Sequence, residues 1–255
     1  MDENRKKVTL KYLQQKKLNK ERITSIGVYD SPMAAIADRV GFDLLVIGNA
    51  GPMSLFGHKD PTTVKFEEQL YMTQAVSRVA KYGLIVGHMP YLSYHLSKED
   101  AIRNAGRLVS EGGADVVKCE GNKYTTEYIA EIVRAGIPVM GHIGMQASRR
   151  TEESGFGVKG RLAEDARKIV ETADAFVEAG AFAFILEQVP CELAQFLTDL
   201  IKCRCHGKEM LVGVLIPQNL RRTFRQGSEK GTAVGLGEDA VVEDGADAGV
   251  ARVAD

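Results

Sequence analysis

Five polar side chains in this chain stand at or next to the ends of short apolar runs: His88, Lys118, Glu120, His142 and Glu187. Their types are those that move protons and hold oxyanions. Lys118 and Glu120 are two residues apart, and an extended backbone turns every second side chain to the same face. Glu187 follows the apolar run Phe182-Ala183-Phe184-Ile185-Leu186. A carboxylate leaving such a strand is expected to have its pKa raised towards neutrality, which suits a general base or acid. Each has a structural alternative: a lone histidine is often a satisfied core residue, and Glu187 could pair with an arginine in the interior. Tyr29-Asp30 and Gly48-Asn49-Ala50 close two further apolar runs and join the candidate set.

Residues placed this way need a scaffold that gathers strand ends. From residue 23 onward, short apolar runs (23–29, 43–48, 84–89, 115–119, 137–141, 181–186) alternate with segments of helical spacing rich in Ala, Glu, Arg and Leu (32–40, 62–82, 98–111, 125–135, 162–179). That rhythm predicts repeated βα units around a parallel sheet. Glycines at 41, 83, 112–113, 136 and 180 stand where left-handed helix caps are expected. Neither G-x-G-x-x-G after a first strand nor G-x-x-x-x-G-K-[ST] occurs, which argues against a nucleotide-binding sheet. The expected fold is an α/β, (β/α)8 TIM-type barrel, its last one or two units atypical, with its chemistry at the carboxyl ends of the strands. Residues 210–216 are expected to form a seventh strand, with an eighth near 232–236. The expected boundaries are one barrel domain over 1–225, including an N-terminal helix, and an atypical, mobile segment over 226–255.

The chain has 255 residues, 44% hydrophobic and 26% charged, enough for one sizeable core. A formal net charge of -1 offers no field to draw in nucleic acid or an anionic membrane, so neither is expected as a partner. The first twenty residues are locally basic and are read as a solvated helix face. No run approaches the roughly 18 apolar residues of a membrane span. With Asp2 and Glu3 at the start, a signal or transit peptide is not expected, and a cytoplasmic location is. Four cysteines, unevenly placed, do not make a disulfide framework. Cys203-Arg204-Cys205-His206 lacks a second cluster to complete a tetrahedral metal site.

An ordered set of segments gives the reading a more specific direction: Tyr29-Asp30, Ile47-Gly48-Asn49-Ala50, Gly57-His58, Val117-Lys118-Cys119-Glu120-Gly121, Gly141-His142-Ile143-Gly144, Gly157-Val158-Lys159-Gly160-Arg161 and Leu186-Glu187-Gln188-Val189-Pro190. Together they resemble, in order and spacing, the motifs of the ketopantoate hydroxymethyltransferases, over residues 9–200. The resemblance implies a barrel of the phosphoenolpyruvate mutase and isocitrate lyase superfamily. It further implies transfer of a one-carbon unit from 5,10-methylenetetrahydrofolate to a small 2-oxo acid, a divalent metal (Mg²⁺) holding that acid, and a homo-oligomer. By the same resemblance Glu187 is the catalytic base, Lys118 a substrate contact and Glu120 a metal ligand, and His142, from its place at a strand end, joins Glu187 and Lys118 as a catalytic candidate. Asn49, Ala50, His88 and Lys118 contact substrate, and Glu120, His88 and Asn49 face the metal.

The departures from the family pattern fall on that metal. Gly48-Asn49-Ala50 stands where the pattern reads Gly-Asp-Ser, and His88-Met89-Pro90 where it has a metal-binding Asp before Pro. Two carboxylates are thereby lost, and a hard Mg²⁺ ion should be held weakly. Three outcomes stay open: a borderline metal on His88 and Glu120, catalysis without metal, or a non-catalytic binding protein. A lyase or hydrolase of the same superfamily is the alternative enzyme. The stretch from Cys203 to Val212 breaks from the family pattern abruptly.

Overall fold

The computed structural model describes residues 5–152, 154–204 and 211–215. Its elements run α1 (Leu10–Leu18), β1 (Ser25–Gly27), α2 (Ser31–Val40), β2 (Leu44–Ile47), α3 (Ala50–Phe56), α4 (Phe66–Ser77), β3 (Leu84–His88) and α5 (Lys98–Ser110). There follow β4 (Val116–Glu120), α6 (Thr126–Arg134), β5 (Val139–Gly144), α7 (Ala163–Glu178), β6 (Ala183–Glu187), α8 (Cys191–Arg204) and β7 (Leu211–Leu215). Single 3₁₀ turns lie at Pro61–Thr63 and Ala147–Arg149. The seven strands form one sheet in chain order, every neighbouring pair parallel. The expected eighth strand and the segment 226–255 lie outside the described residues.

Alternation along the strands sorts side chains into two cores. Leu45, Ile47, Ile85, Val117, Cys119, Phe184 and Leu186 pack outward with the helices. Leu44, Leu84, Val86, Val116, Met140 and Ala183 face the other way and share one buried cluster with Val8, Leu13 and Ile23. Strands as far apart as β2 and β6 meet in that cluster, so the sheet is curled around it. The inward parity continues upward to His88, then Lys118 and Glu120, then His142, then Glu187. Aliphatic layers thus fill the lower interior and titratable side chains cap it.

Helix ends follow local chemistry. Asp30 caps α2 by accepting from the Met33 amide at 2.7 Å, and Ser97 caps α5 through the Asp100 amide at 3.1 Å. Gly41, Gly113, Gly136 and Gly180 take positive φ at or just past helix ends, as expected. Gly83 does not. The Lys81, Tyr82 and Gly83 amides all donate to the buried Asp38 carboxylate, at 2.8, 3.1 and 2.7 Å. This carboxylate takes up backbone donors that a helix would use internally, and α4 stops at Ser77 instead of reaching residue 82.

Helices α3 and α8 were absent from the expected set. In α3, Pro52 sits within the first turn, where a missing N–H costs nothing, so Gly51-Pro52 does not break the helix. The basic amino-terminal stretch is more than a solvated face: Leu13 is fully buried, and Lys16 pairs with Asp43 at 2.9 Å.

Candidate active site

Four consecutive strands deliver the polar cap. His88 ends β3, Lys118 and Glu120 lie on β4, His142 on β5 and Glu187 ends β6. Register pairs His88 with Lys118, Glu120 with His142, and Gly144 with Glu187. His142 is not a strand-end residue as expected, because β5 continues to Gly144. A buried polar residue inside a strand is costly when it is alone. Here its Nδ1 lies 3.2 Å from Lys118 Nζ and 3.3 Å from Glu120 Oε1, and its Nε2 lies 2.8 Å from Glu187 Oε2. Glu187 is therefore one member of a carboxylate–imidazole pair, where the sequence suggested a carboxylate isolated by apolar neighbours or paired with an arginine. Its side chain keeps 19% exposure, whereas His142 and Glu120 keep 3% and 2%, so Glu187 is the member of the cluster open to the mouth.

Charge states follow from burial and neighbours. Burial drives the Lys118 pKa down, and the Glu120 and Glu187 carboxylates counter this only in part. Burial and the Lys118 ammonium also act downward on His142, but Glu120 and Glu187 outweigh them and hold its pKa above the ordinary value. For Glu120 burial acts upward, yet the hydrogen bond and charge of His142, with the Lys118 ammonium, keep the carboxylate well below its usual range. His88 is fully buried, and its pKa is pushed well below normal by burial and Lys118, so its ring is neutral.

Sequence reasoning missed the residues that aim this set. The Ser148 amide donates to Glu120 Oε2 at 2.9 Å, and its hydroxyl accepts from Asn49 Nδ2 at 3.0 Å. One buried residue of the turn after β5 thus orients Asn49, just past β2, and Glu120 on β4. The Tyr94 hydroxyl donates to the Glu120 carbonyl, and Gln146 Nε2 donates to the Gly121 carbonyl at 2.7 Å. The only signal in the sequence was proximity to the Gly141-His142-Ile143-Gly144 and His88-Met89-Pro90 segments. Ala50, an expected substrate contact, is exposed as the first residue of α3.

The divalent ion implied by the resemblance can be tested against the donors present. Among the described residues no three His, Cys, Asp or Glu side chains form a metal-binding group. Asn49 Oδ1 and both His88 ring nitrogens are nevertheless buried acceptors or potential acceptors without a hydrogen-bond partner, and His88 Nε2 lies 4.0 Å from Glu120 Oε1, which His142 Nδ1 approaches at 3.3 Å. Two ligands of one tetrahedral ion, each about 2.1 Å away, stand roughly 3.4 Å apart, so a shift of about half an ångström brings both into reach. The set of imidazole nitrogen, carboxylate oxygen and amide oxygen fits a divalent ion, though not one that prefers all-oxygen ligands.

Fold and site together define an α/β protein whose curled parallel sheet carries a buried polar cluster at the carboxyl ends of its strands. A solved phosphonopyruvate hydrolase, in complex with oxalate and Mg++, is similar with a TM-score of 0.60 at 12% identity, over 81% of this chain and 71% of that one. A 2,3-dimethylmalate lyase, described as a PEP mutase/isocitrate lyase superfamily member, gives 0.56 at 18% identity over 80% and 70%. At such identities the likeness is one of fold. Sequence narrows it: residues 7–207 match the family model described as Ketopantoate hydroxymethyltransferase. The 3-methyl-2-oxobutanoate hydroxymethyltransferase of Moorella thermoacetica (strain ATCC 39073 / JCM 9320) is 43% identical over 76% of this chain and 72% of its own. That of Clostridium novyi (strain NT) is 39% identical over 88% and 83%. The chain belongs to the ketopantoate hydroxymethyltransferase family. No helix among the described residues is long and apolar enough to cross a membrane.

Proposed function

We propose that this protein is a hydroxymethyltransferase that enolises a small 2-oxo acid and joins the resulting carbanion to a one-carbon unit supplied by 5,10-methylenetetrahydrofolate. The observation that carries the reading is the Glu187–His142 contact of 2.8 Å at the mouth, with Lys118 3.2 Å from the other ring nitrogen. Lys118 receives the substrate carboxylate. Glu187, the most open member of the cluster, takes a proton from the carbon beside the carbonyl, and His142 steadies it and shares the proton. The freed electron pair forms one carbon–carbon bond to the one-carbon unit; water provides the new hydroxyl, and tetrahydrofolate leaves. Ala50 borders the mouth without offering a polar group. A divalent ion, when bound, would be held by Glu120, His88 and Asn49 and supplies Lewis-acid polarisation of the 2-oxo oxygen.

Around this site the reading includes a (β/α)8-type barrel whose last one or two units are atypical, a homo-oligomeric assembly and work in the cytoplasm. The test is solvent deuterium exchange at the carbon beside the carbonyl of a panel of 2-oxo acids, followed by product analysis with and without methylenetetrahydrofolate. At least one acid should exchange, and Glu187→Gln should slow that exchange by about a hundredfold or more, since general-base catalysis contributes about 10²- to 10⁴-fold. Carbon–carbon cleavage in place of addition would make the protein a superfamily lyase. Binding without exchange for every acid would make it a non-catalytic relative.

A further inference from the structure

We propose that the cation site of this pocket is nitrogen-containing and selects a borderline divalent ion, of the Co²⁺ or Zn²⁺ kind, over Mg²⁺, with His88 as the deciding ligand. The proposal deepens the 2-oxo acid reading but concerns the resting protein, so it can be tested without substrate. It starts from polar atoms that have no reason to be buried as they are. His88 is completely enclosed, and neither ring nitrogen has a hydrogen-bond partner. Asn49 Oδ1 is in the same condition on a side chain 6% exposed, and Glu120 Oε1, on one 2% exposed, meets only the His142 ring, with Nδ1 at 3.3 Å. An unsatisfied buried polar atom typically costs about 1–3 kcal/mol, so Asn49 and His88, flanking the Glu120 carboxylate at the carboxyl ends of adjacent strands, call for a common occupant.

Orientation is built in rather than incidental. Ser148 fixes the far atom of both oxygen-bearing side chains: Asn49 through Nδ2 at 3.0 Å and Glu120 through Oε2 at 2.9 Å. Asn49 is left with Oδ1 unspent, and Glu120 with Oε1 turned towards the His88 and His142 rings. His88 Nε2 faces Glu120 Oε1 at 4.0 Å, a little wider than the spacing of two ligands on one ion. Donor chemistry then sets the preference. Mg²⁺ asks for near-octahedral oxygen and is held through carboxylates and waters, whereas imidazole favours Co²⁺ and Zn²⁺.

The test is calorimetric titration of the metal-stripped full chain with Co²⁺, Zn²⁺ and Mg²⁺, with the visible spectrum of Co²⁺ read in parallel. Cys203→Ser and Cys205→Ser are introduced first, so that thiolates of that segment do not take up the ion. One Co²⁺ per chain should bind at least about tenfold more tightly than Mg²⁺. His88→Ala should weaken Co²⁺ by about tenfold or more, and His88→Asp combined with Asn49→Asp should reverse the order of the two ions. Equal or tighter Mg²⁺ binding in the parent, or no stoichiometric binding of any of the three, overturns the proposal. If His88→Ala does not fold, electron spin echo of the Co²⁺-loaded parent decides: a coordinated histidine nitrogen supports the assignment, and its absence refutes it. Substrate is absent throughout, so these outcomes are independent of whether any oxo acid is enolised.

Discussion

Lys118 brings a full charge to a place with 6% exposure, and its neighbours determine what that charge does. Glu120 lies on the same face of the same strand, and the His142 ring sits 3.2 Å away, so the ammonium has partners but none that occupies all three of its protons. A substrate carboxylate is the natural remaining acceptor. Lys118→Met should therefore weaken binding of a responsive oxo acid by about tenfold to a hundredfold, the worth of a hydrogen bond to a charged group at roughly 1.5–3 kcal/mol. Calorimetry with the oxo acid would register this, and unchanged affinity would place the carboxylate elsewhere. Lys118, Glu120 and Glu187 were legible in the sequence because apolar runs announce strands and strand ends announce a mouth. Ser148 and Tyr94 were not, since a side chain that aims another by one hydrogen bond has no periodicity to betray it.

At the scale of elements, the close approach of β5 to β6 holds Glu187 in place. Gly144 ends β5 with φ of 90°, and a Cβ built there would lie 2.4 Å from the Glu187 carbonyl oxygen. That same carbonyl accepts from the Met145 amide at 2.7 Å, so the strand ends are stitched where Glu187, the proposed base, stands. Gly57 also has positive φ, 76°, but nothing lies within 4 Å of its added Cβ, which makes it the control for backbone strain alone. Gly144→Ala should cost about 1–3 kcal/mol of stability from strain and clash together, and slow deuterium exchange as the end of β6 is displaced. Gly57→Ala should cost less and leave exchange intact. Thermal melting and the exchange rate measure the two effects; equal behaviour of the variants would show that the contact at Gly144 does not position the base. The strands and most helices could be read from alternation and capping. The end of α4 could not, because a carboxylate 43 residues before Lys81 captures its amides, and no local window contains both partners.

Across the whole molecule, stability and chemistry occupy opposite ends of the sheet. Charges sit at the carboxyl ends, while the lower interior is aliphatic and receives Val8, Leu13 and Ile23 from the amino-terminal segment. Three long side chains tie that segment down: Arg5 to the Asp38 and Phe42 carbonyls, Lys7 to Asp115 at 2.6 Å, and Lys16 to Asp43 at 2.9 Å. The Val8 amide adds a bond to the Tyr82 carbonyl at 2.6 Å. Of these contacts, the fully buried Leu13 contributes apolar burial, and the partly exposed Lys7 pair little by comparison. Leu13→Ala removes that side chain from a packed interior and should destabilise the fold by about 2–5 kcal/mol, the usual range for a core leucine. Its melting temperature should fall, whereas Lys7→Ala should change it little. Below its melting range Leu13→Ala should bind oxo acid with parental affinity, because aliphatic layers of β3 to β5 separate it from Lys118. A loss of affinity in folded Leu13→Ala would mean that the amino-terminal segment shapes the mouth as well as closing the floor.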